Sequence, residues 1–394
     1  MTVVRGIERK MASMGNTHAD VIVIGGGTMG TATGWALAKA GHSVIVIEQF
    51  EHVHSFGSHG GKTRIFRHNY AEGEQYVPWT LEADLLWSEL QERHPGEAFM
   101  HRCGGLDIST PDGTRAQEAM HSAQRYDLDY EYLSGDEINA RYPAWNLPSE
   151  WTGCLDPTAG FLVVPPALKA LAREMSAAGG DLRAGEKVLT WSEDADGVHV
   201  ATDKDTYTGD RLVIAGGAWN GKLMGDLGLP LEVRRKPVFW FEPQDPSLYG
   251  PERFPVFVVD LGSDEFYGLP VWGDPGLKCG IHSGGNVVNP DAIDREVRDE
   301  DLLPAYRAFL AERFNGLNAT VLESTVCMYT MTPDEHFLID RYPGKERVVY
   351  AAGFSGHGFK FAPVVGEYLA SLATDDHAEL LPWFTYERFL GAPR

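Results

Sequence analysis

Two unbroken apolar runs dominate the first part of the chain. "DVIVIG" (Asp20–Gly25) and "HSVIVIE" (His42–Glu48) are rich in β-branched residues and lack alternation. That is the pattern of strands buried on both faces. Between them "TMGTATGWALAKAG" carries small residues on one side and ends at Gly41, which predicts a helix and completes a βαβ unit. "EQYVPWTLEADLLWSELQERH" spaces Leu81, Leu85, Trp87 and Leu90 at near-helical intervals and predicts an amphipathic helix. "PPALKALAREMSAAGG", with prolines at its start and Gly179 past its end, predicts another. "EKVLTWSE", "GVHVATD" and "DRLVIAGGAW" follow as three expected strands, the last running into a glycine pair and a further helix.

The pattern changes from about Val233 to Gly284. "KPVFWFEP", "PVFVVDL", "EFYGLPV" and "LKCGIHS" are short strand-like runs separated by turn residues, with no helices between them. This predicts an antiparallel sheet. "RVVYAAGFSGHGFKFAPVVGEYLASLAT" then returns to strand, glycine turn and helix. The expected fold is α/β with an α+β second domain: a Rossmann-type dinucleotide-binding domain (19–95, 160–230 and 325–394) interrupted by a domain built on a large antiparallel sheet (96–159 and 231–324). No internal repeat or low-complexity tract is present.

The bulk numbers narrow this picture. A chain of 394 residues, 43% hydrophobic, is long enough for more than one domain. Its net charge of -22 argues against nucleic acid or an anionic membrane surface as partner. Cys103, Cys154, Cys279 and Cys327 form no CxxC pair or His/Cys ligand spacing, so neither a metal site nor a disulfide framework is expected. No apolar run approaches ~20 residues, so no membrane span is expected. The first 18 residues lack the apolar block of a signal peptide and are expected to form a disordered extension, with the protein soluble and cytoplasmic.

Gly25, Gly27 and Gly30 form a G-x-G-x-x-G at the first strand–helix turn. The first glycine allows the tight turn, the second lets backbone approach a pyrophosphate, and the third lets helix pack on strand. Glu48, ending the second strand, suits a ribose diol and repels a 2′-phosphate. The motif indicates a dinucleotide without separating NAD from FAD.

Three further stretches carry chemistry. "GSHGGKTRIFRHNY" (Gly57–Tyr70) combines glycines, hydroxyls and cations, suited to phosphate or a flavin edge; a solvated basic loop would look the same. Arg64 and Arg67 share a face only in a helical turn. In "SGHGFKF" (Ser355–Phe361) the amides of Gly356, Gly358 and Phe359 can meet a carbonyl, and Lys360 stands at a helix start, where the dipole disfavours a structural lysine and a cation fits an anionic ligand better. A lysine reaching solvent is the other reading. Lys278 and His282, four apart on an expected strand, face the side of Gly280, with Tyr267 nearby. Cys327, in "STVCMYT", sits in an apolar run with no motif of its own.

Together "DVIVIGGGTMG", "GSHGGKTRIFRHNYAEGEQYVP", "GDEINARYP", "GAWN", "VCMYTMTPDEHFLID" and "AAGFSGHGFKF" resemble the monomeric sarcosine oxidase and N-methyltryptophan oxidase family of flavoproteins, over nearly the whole chain after Asp20. The resemblance implies a D-amino-acid-oxidase-like FAD domain and an antiparallel substrate domain. It implies FAD held as a thioether by Cys327. Arg67 and Lys360 would bind the substrate carboxylate, and Arg64 would lie by the flavin. Lys278 would be linked to the flavin through water and serve oxygen reactivity. Tyr267 and Tyr329 would wall the pocket, and His282 would join them. The expected cofactor-binding set is Gly25, Gly27, Thr28, Met29, Gly30, Glu48, Ser58, Thr63, Arg64, Val188, Gly217, Trp219, Cys327, Gly356, Gly358, Phe359 and Lys360. Gly60 replaces a family histidine. Val258 and Leu269 replace a methionine and an aromatic residue, which implies a roomier pocket and a substrate larger than sarcosine.

The implied reaction oxidises a secondary amino acid (N-methyl or cyclic) with O2, by a monomer, to an imine and H2O2. The alternatives are a deglycating fructosyl amino acid oxidase, a pipecolate-type oxidase, a flavin-binding protein without oxidase activity and a nicotinamide dehydrogenase.

Overall fold

The computed structural model describes residues 17–273, 276–301 and 303–390. Of the expected extension, residues 1–16 lie outside the described residues, and His18 already belongs to the first strand. Among the described residues no helix is long and apolar enough to cross a membrane.

The buried runs build the first sheet. His18–Ile24, Val44–Glu48, Asp181–Ala184, Thr206–Ile214 and Val348–Ala352 run parallel, with His18–Ile24 between Val44–Glu48 and Thr206–Ile214. The first half of Thr206–Ile214 pairs antiparallel with Gly197–Thr202, and the second half pairs with Val348–Ala352. Helix Thr28–Lys39 packs against both Val164–Ala177 and Ala362–Thr374 over this sheet. The contact is close because glycines stand at the crossing. A Cβ on Gly366 would lie 2.6 Å from the backbone of Ala32.

The helix Val77–Arg93 forms as expected, but its inner stripe differs. Val77, Thr80, Ala83, Leu86, Trp87 and Leu90 are buried, whereas Leu85 is 61% exposed and Leu81 is 36% exposed. The heptad-like row through Trp87 and Leu90 is continued by small residues, and the Leu81–Leu85 pair falls on the opposite side of the turn.

The second sheet has eight strands in the order Leu317–Met331, Glu232–Pro243, Leu277–Ile281, Glu265–Leu269, Val256–Asp260, Gly105–Ser109, Thr152–Asp156 and Glu131–Ser134. All neighbours are antiparallel except Val256–Asp260 with Gly105–Ser109, which run parallel. Trp145, Phe239, Phe257, Tyr306 and Phe314 fill its outer face. A three-stranded sheet, Thr63–Phe66, Gly160–Val163 and Met100–Arg102, lies between the two large ones in the chain path.

Candidate active site

Strand register gathers the chemistry. Residues opposite one another on paired strands project from the same face. Cys327 lies opposite Lys236, Tyr329 opposite Arg234, and Trp240 opposite Lys278. Gly280 lies opposite Tyr267, Lys278 opposite Leu269, Tyr267 opposite Val258, and Val258 opposite Asp107. One face of the second sheet therefore carries Cys327, Tyr329, Lys278, Tyr267, Leu269, Val258 and Asp107. Gly280 is required in this row. A Cβ there would lie 2.4 Å from the Tyr267 ring, which occupies the space above it.

A cavity of about 70 Å³ opens on this face, bounded across the gap by the Thr63–Phe66 strand and the turn after Val348–Ala352. Arg64, Arg67, Tyr267, Lys278, His282, Cys327, Tyr329 and Lys360 all line it. Arg64 lies in the strand and Arg67 just past its end, where the chain leaves the pleat. Two residues that would alternate along a strand thus reach one cavity. His282 stands one residue past its own strand, its ring 5.4 Å from that of Tyr329. Of the two positions read as reshaping the pocket, Val258 and Leu269 both line the cavity, and Leu269 packs with Phe161 and Val256, with Ile65 against them.

The cavity is cationic inside an acidic protein. Lys360 Nζ hydrogen-bonds to the Tyr70 hydroxyl at 3.2 Å and to the His357 carbonyl at 2.9 Å. Burial first, and the charge of Arg67 second, push its pKa down to about 7. Arg67 is buried and already occupied: it meets both oxygens of Glu72 at 2.5 Å and Asp107 at 3.6 Å. Arg115 binds the same two carboxylates at 2.9 and 2.6 Å, and Glu265 at 2.8 Å. Burial opposes ionisation of Glu72, but Arg67 and Arg115 together hold it well below the usual carboxylate range. Burial drives the His282 imidazole down to about 3, so it is neutral. The Lys278 ammonium donates to the Gly61 carbonyl (2.6 Å) and to the Thr63 carbonyl and hydroxyl (2.8 and 3.2 Å).

A second, larger cavity of about 650 Å³ adjoins the first, sharing Arg64, Tyr329, Gly356, Gly358's neighbour Phe359 and the turn they form. It is lined by Gly25, Gly27, Thr28, Met29, Glu48, Ser58, Val188, Gly217, Trp219, Gly356, Gly358 and Phe359. Thr63 and Cys327 line only the smaller cavity. Gly30 lines neither. It serves packing, since a Cβ there would lie 1.7 Å from the Gly25 carbonyl oxygen.

A dinucleotide fits this cavity. Its volume is in the range of cofactor sites. Gly25 has φ +100°, and Gly27 leaves its backbone open to the cavity. The Glu48 carboxylate is oriented by the amides of Gly26 and Phe50, both at 2.9 Å, with His54 Nε2 3.4 Å from Oε1, and Oε2 keeps a second acceptor position. Beside Gly27, the buried Nε2 of His59 has no hydrogen-bond partner among the described residues, as suits a ligand-facing polar atom. Cys327 is 2% exposed, and the Gly60–Gly61 backbone passes over it: a Cβ on Gly61 would lie 3.2 Å from Sγ. All four cysteines are free. Burial raises the thiols of Cys103 (to about 12), Cys154 and Cys279, and none of these three lines either cavity.

Sequence reasoning missed Tyr70, Glu72, Asp107, Arg115 and His357. Tyr70, Glu72 and His357 sit inside segments already singled out, where their polarity was visible. Asp107 and Arg115 had no local signal, because they meet Arg67 only through the folding of the second sheet.

The comparisons agree with this geometry. A family model described as FAD dependent oxidoreductase matches residues 20–372. Monomeric sarcosine oxidase from Bacillus sp. (strain B-0618) is 39% identical over 92% of this chain and 94% of its own. N-methyl-L-tryptophan oxidase from Yersinia pestis (strain Pestoides F) is 34% identical over 94% of this chain and 99% of its own. Among solved structures, NikD, "an unusual amino acid oxidase essential for nikkomycin biosynthesis", superposes with TM-score 0.81 at 27% identity, covering 93% of this chain and 96% of its own. The glycine turn, the paired cavities and these relatives together establish that the chain belongs to the FAD-dependent oxidoreductases and, within them, to the monomeric sarcosine oxidase and N-methyltryptophan oxidase family.

Proposed function

We propose that the protein is an FAD-dependent oxidase of a secondary amino acid, working as a monomer, as its relatives' names suggest. The carrying observation is the cationic cavity in which buried Arg67 and Lys360 stand side by side, walled by Tyr267 and Tyr329. Charge-assisted bonds from two cations fix a carboxylate in a desolvated site and so orient the amine. Arg67 is occupied by Glu72, so substrate binding exchanges one carboxylate for another. The neutral His282 and the phenols add no charge beside the amine; the tyrosine hydroxyls are raised by burial, to about 12 for Tyr329.

Bound FAD supplies the acceptor for two electrons and passes them to O2, yielding H2O2. The amine becomes an imine, and water hydrolyses it; an N-methyl substrate yields formaldehyde and the demethylated amino acid. The Lys278 charge stabilises the negative charge that develops on O2. Cys327 is the proposed covalent anchor of the cofactor, supported by its place at the cavity beneath Gly60–Gly61.

The cavity of about 70 Å³ opens to the larger one past Arg64, Tyr329, Gly356 and Phe359, and it suits the carboxylate and amine end of an N-methyl amino acid. The test is H2O2 release with sarcosine, N-methyltryptophan, pipecolate and fructosyl-glycine. Turnover of sarcosine or N-methyltryptophan above fructosyl-glycine, with formaldehyde formed, is expected. No O2 consumption with any N-methyl amino acid, or turnover of fructosyl-glycine alone, would overturn the proposal.

A further inference from the structure

Behind the two cations stands Tyr70, which is fully buried and is not among the residues lining the smaller cavity. Its ring lies against both of them: the Arg67 guanidinium carbon is 5.2 Å from the ring centre and Lys360 Nζ is 4.9 Å from it. Its hydroxyl is 3.2 Å from Lys360 Nζ and 2.6 Å from His357 Nδ1. The direction of each bond follows from the last member. His357 Nε2 lies 3.0 Å from the Glu335 carbonyl oxygen, which only accepts, so Nε2 carries the proton and Nδ1 accepts. The Tyr70 hydroxyl therefore donates to His357 and accepts from Lys360. Trp87 Nε1 holds the Lys360 carbonyl at 2.8 Å, fixing the backbone from the other side. Among the described residues no carboxylate forms an ion pair with Lys360.

We propose that Tyr70 is a positioning residue for carboxylate recognition: its ring and hydroxyl hold the Lys360 ammonium charged and aimed beside Arg67, through the directed chain Lys360, Tyr70, His357 and the Glu335 carbonyl. This rests on the reading of Arg67 and Lys360 as the carboxylate binders. A buried ammonium keeps its proton only where acceptors meet it. Lys360 is touched by Tyr70 and the His357 carbonyl, and acted on through space by Arg67, Glu72, Arg115 and Asp107. Its pKa of about 7 means that it is charged below neutral pH and loses its charge above it. His357 is neutral throughout that range, since burial lowers it to about 3, so the chain keeps its direction. Losing the phenol oxygen removes an acceptor for the ammonium and moves the titration to lower pH.

The test is calorimetric titration of the FAD-loaded protein with methoxyacetate, an unreactive isostere of N-methylglycine, and with neutral methoxyacetamide, across pH 5–9. Wild type is expected to bind methoxyacetate in preference to the amide, with affinity falling as pH rises past neutrality. Tyr70→Phe, which keeps the ring, is expected to bind methoxyacetate about fivefold more weakly at pH 7, with the fall beginning at lower pH. KM for the amino acid should rise by the same factor with kcat little changed. His357→Leu removes the acceptor of the Tyr70 proton and is expected to shift the profile in the same direction, which keeps the test open should Tyr70→Phe not retain FAD. Unchanged affinity and midpoint in the variants would overturn the role of Tyr70 and leave the carboxylate reading standing. Equal binding of acid and amide by wild type would overturn both.

Discussion

At the scale of single residues, the site is organised by what burial does to charge. Arg67 commits its Nη2 to Glu72, and Arg115 holds Glu72 from the other side. Removing that carboxylate's charge should free Arg67. Glu72→Gln is therefore expected to tighten methoxyacetate binding, measured by titration. It should also lower the thermal midpoint, because two buried guanidiniums lose a counter-charge, at a cost of about 3 kcal/mol or more. Cys327 poses the other residue-scale question. As the one cysteine lining either cavity, it is the proposed anchor. Wild-type protein precipitated with acid should keep its yellow colour in the pellet, whereas Cys327→Ser should release FAD to the supernatant. Flavin retained covalently in that variant would remove Cys327 from the role.

At the scale of elements, glycines set the distances that make the cavities. Gly30 brings the helix Thr28–Lys39 onto the turn of the first strand, with no room for a methyl group against the Gly25 carbonyl. Gly30→Ala is expected to cost about 1–3 kcal/mol or more, as overpacking against backbone does. It should be seen as a lower melting temperature and, because the turn moves, as weaker FAD retention on gel filtration. The second sheet does the converse at Gly280, where an absent side chain seats the Tyr267 ring. The βαβ unit, the four strands between Val233 and Gly284 and the glycine turn at Ser355–Phe361 were legible from periodicity and turn residues, whereas Gly105–Ser109, Glu131–Ser134 and Thr152–Asp156 of the second sheet were not. The buried stripe of Val77–Arg93 was not. Leu81 and Leu85 have the spacing of a core row, yet Thr80 and Ala83 are the residues inside, because the neighbouring helix Ala362–Thr374 selects the face that packs.

At the scale of the whole molecule, a chain of net charge -22 gathers Arg64, Arg67, Arg115, Lys278 and Lys360 around one small cavity. The proposed carboxylate recognition is therefore a property of the enclosed site, where low dielectric strengthens a paired charge, rather than of the protein's overall field. The sequence by itself determined the dinucleotide turn, since Gly25, Gly27 and Gly30 are demanded by local backbone geometry within one short stretch. It also singled out, mainly through the family resemblance, Arg64, Arg67, Lys278, Cys327 and Lys360, which the fold brings to one cavity. Only the tertiary structure decided that these residues share one small cavity, that Arg67 is held by Glu72 and Asp107, and that Tyr70 stands behind both cations. Those facts depend on contacts between strands and loops far apart in the chain. Periodicity reports which face of an element is buried, and carries no record of what the other element brings to meet it.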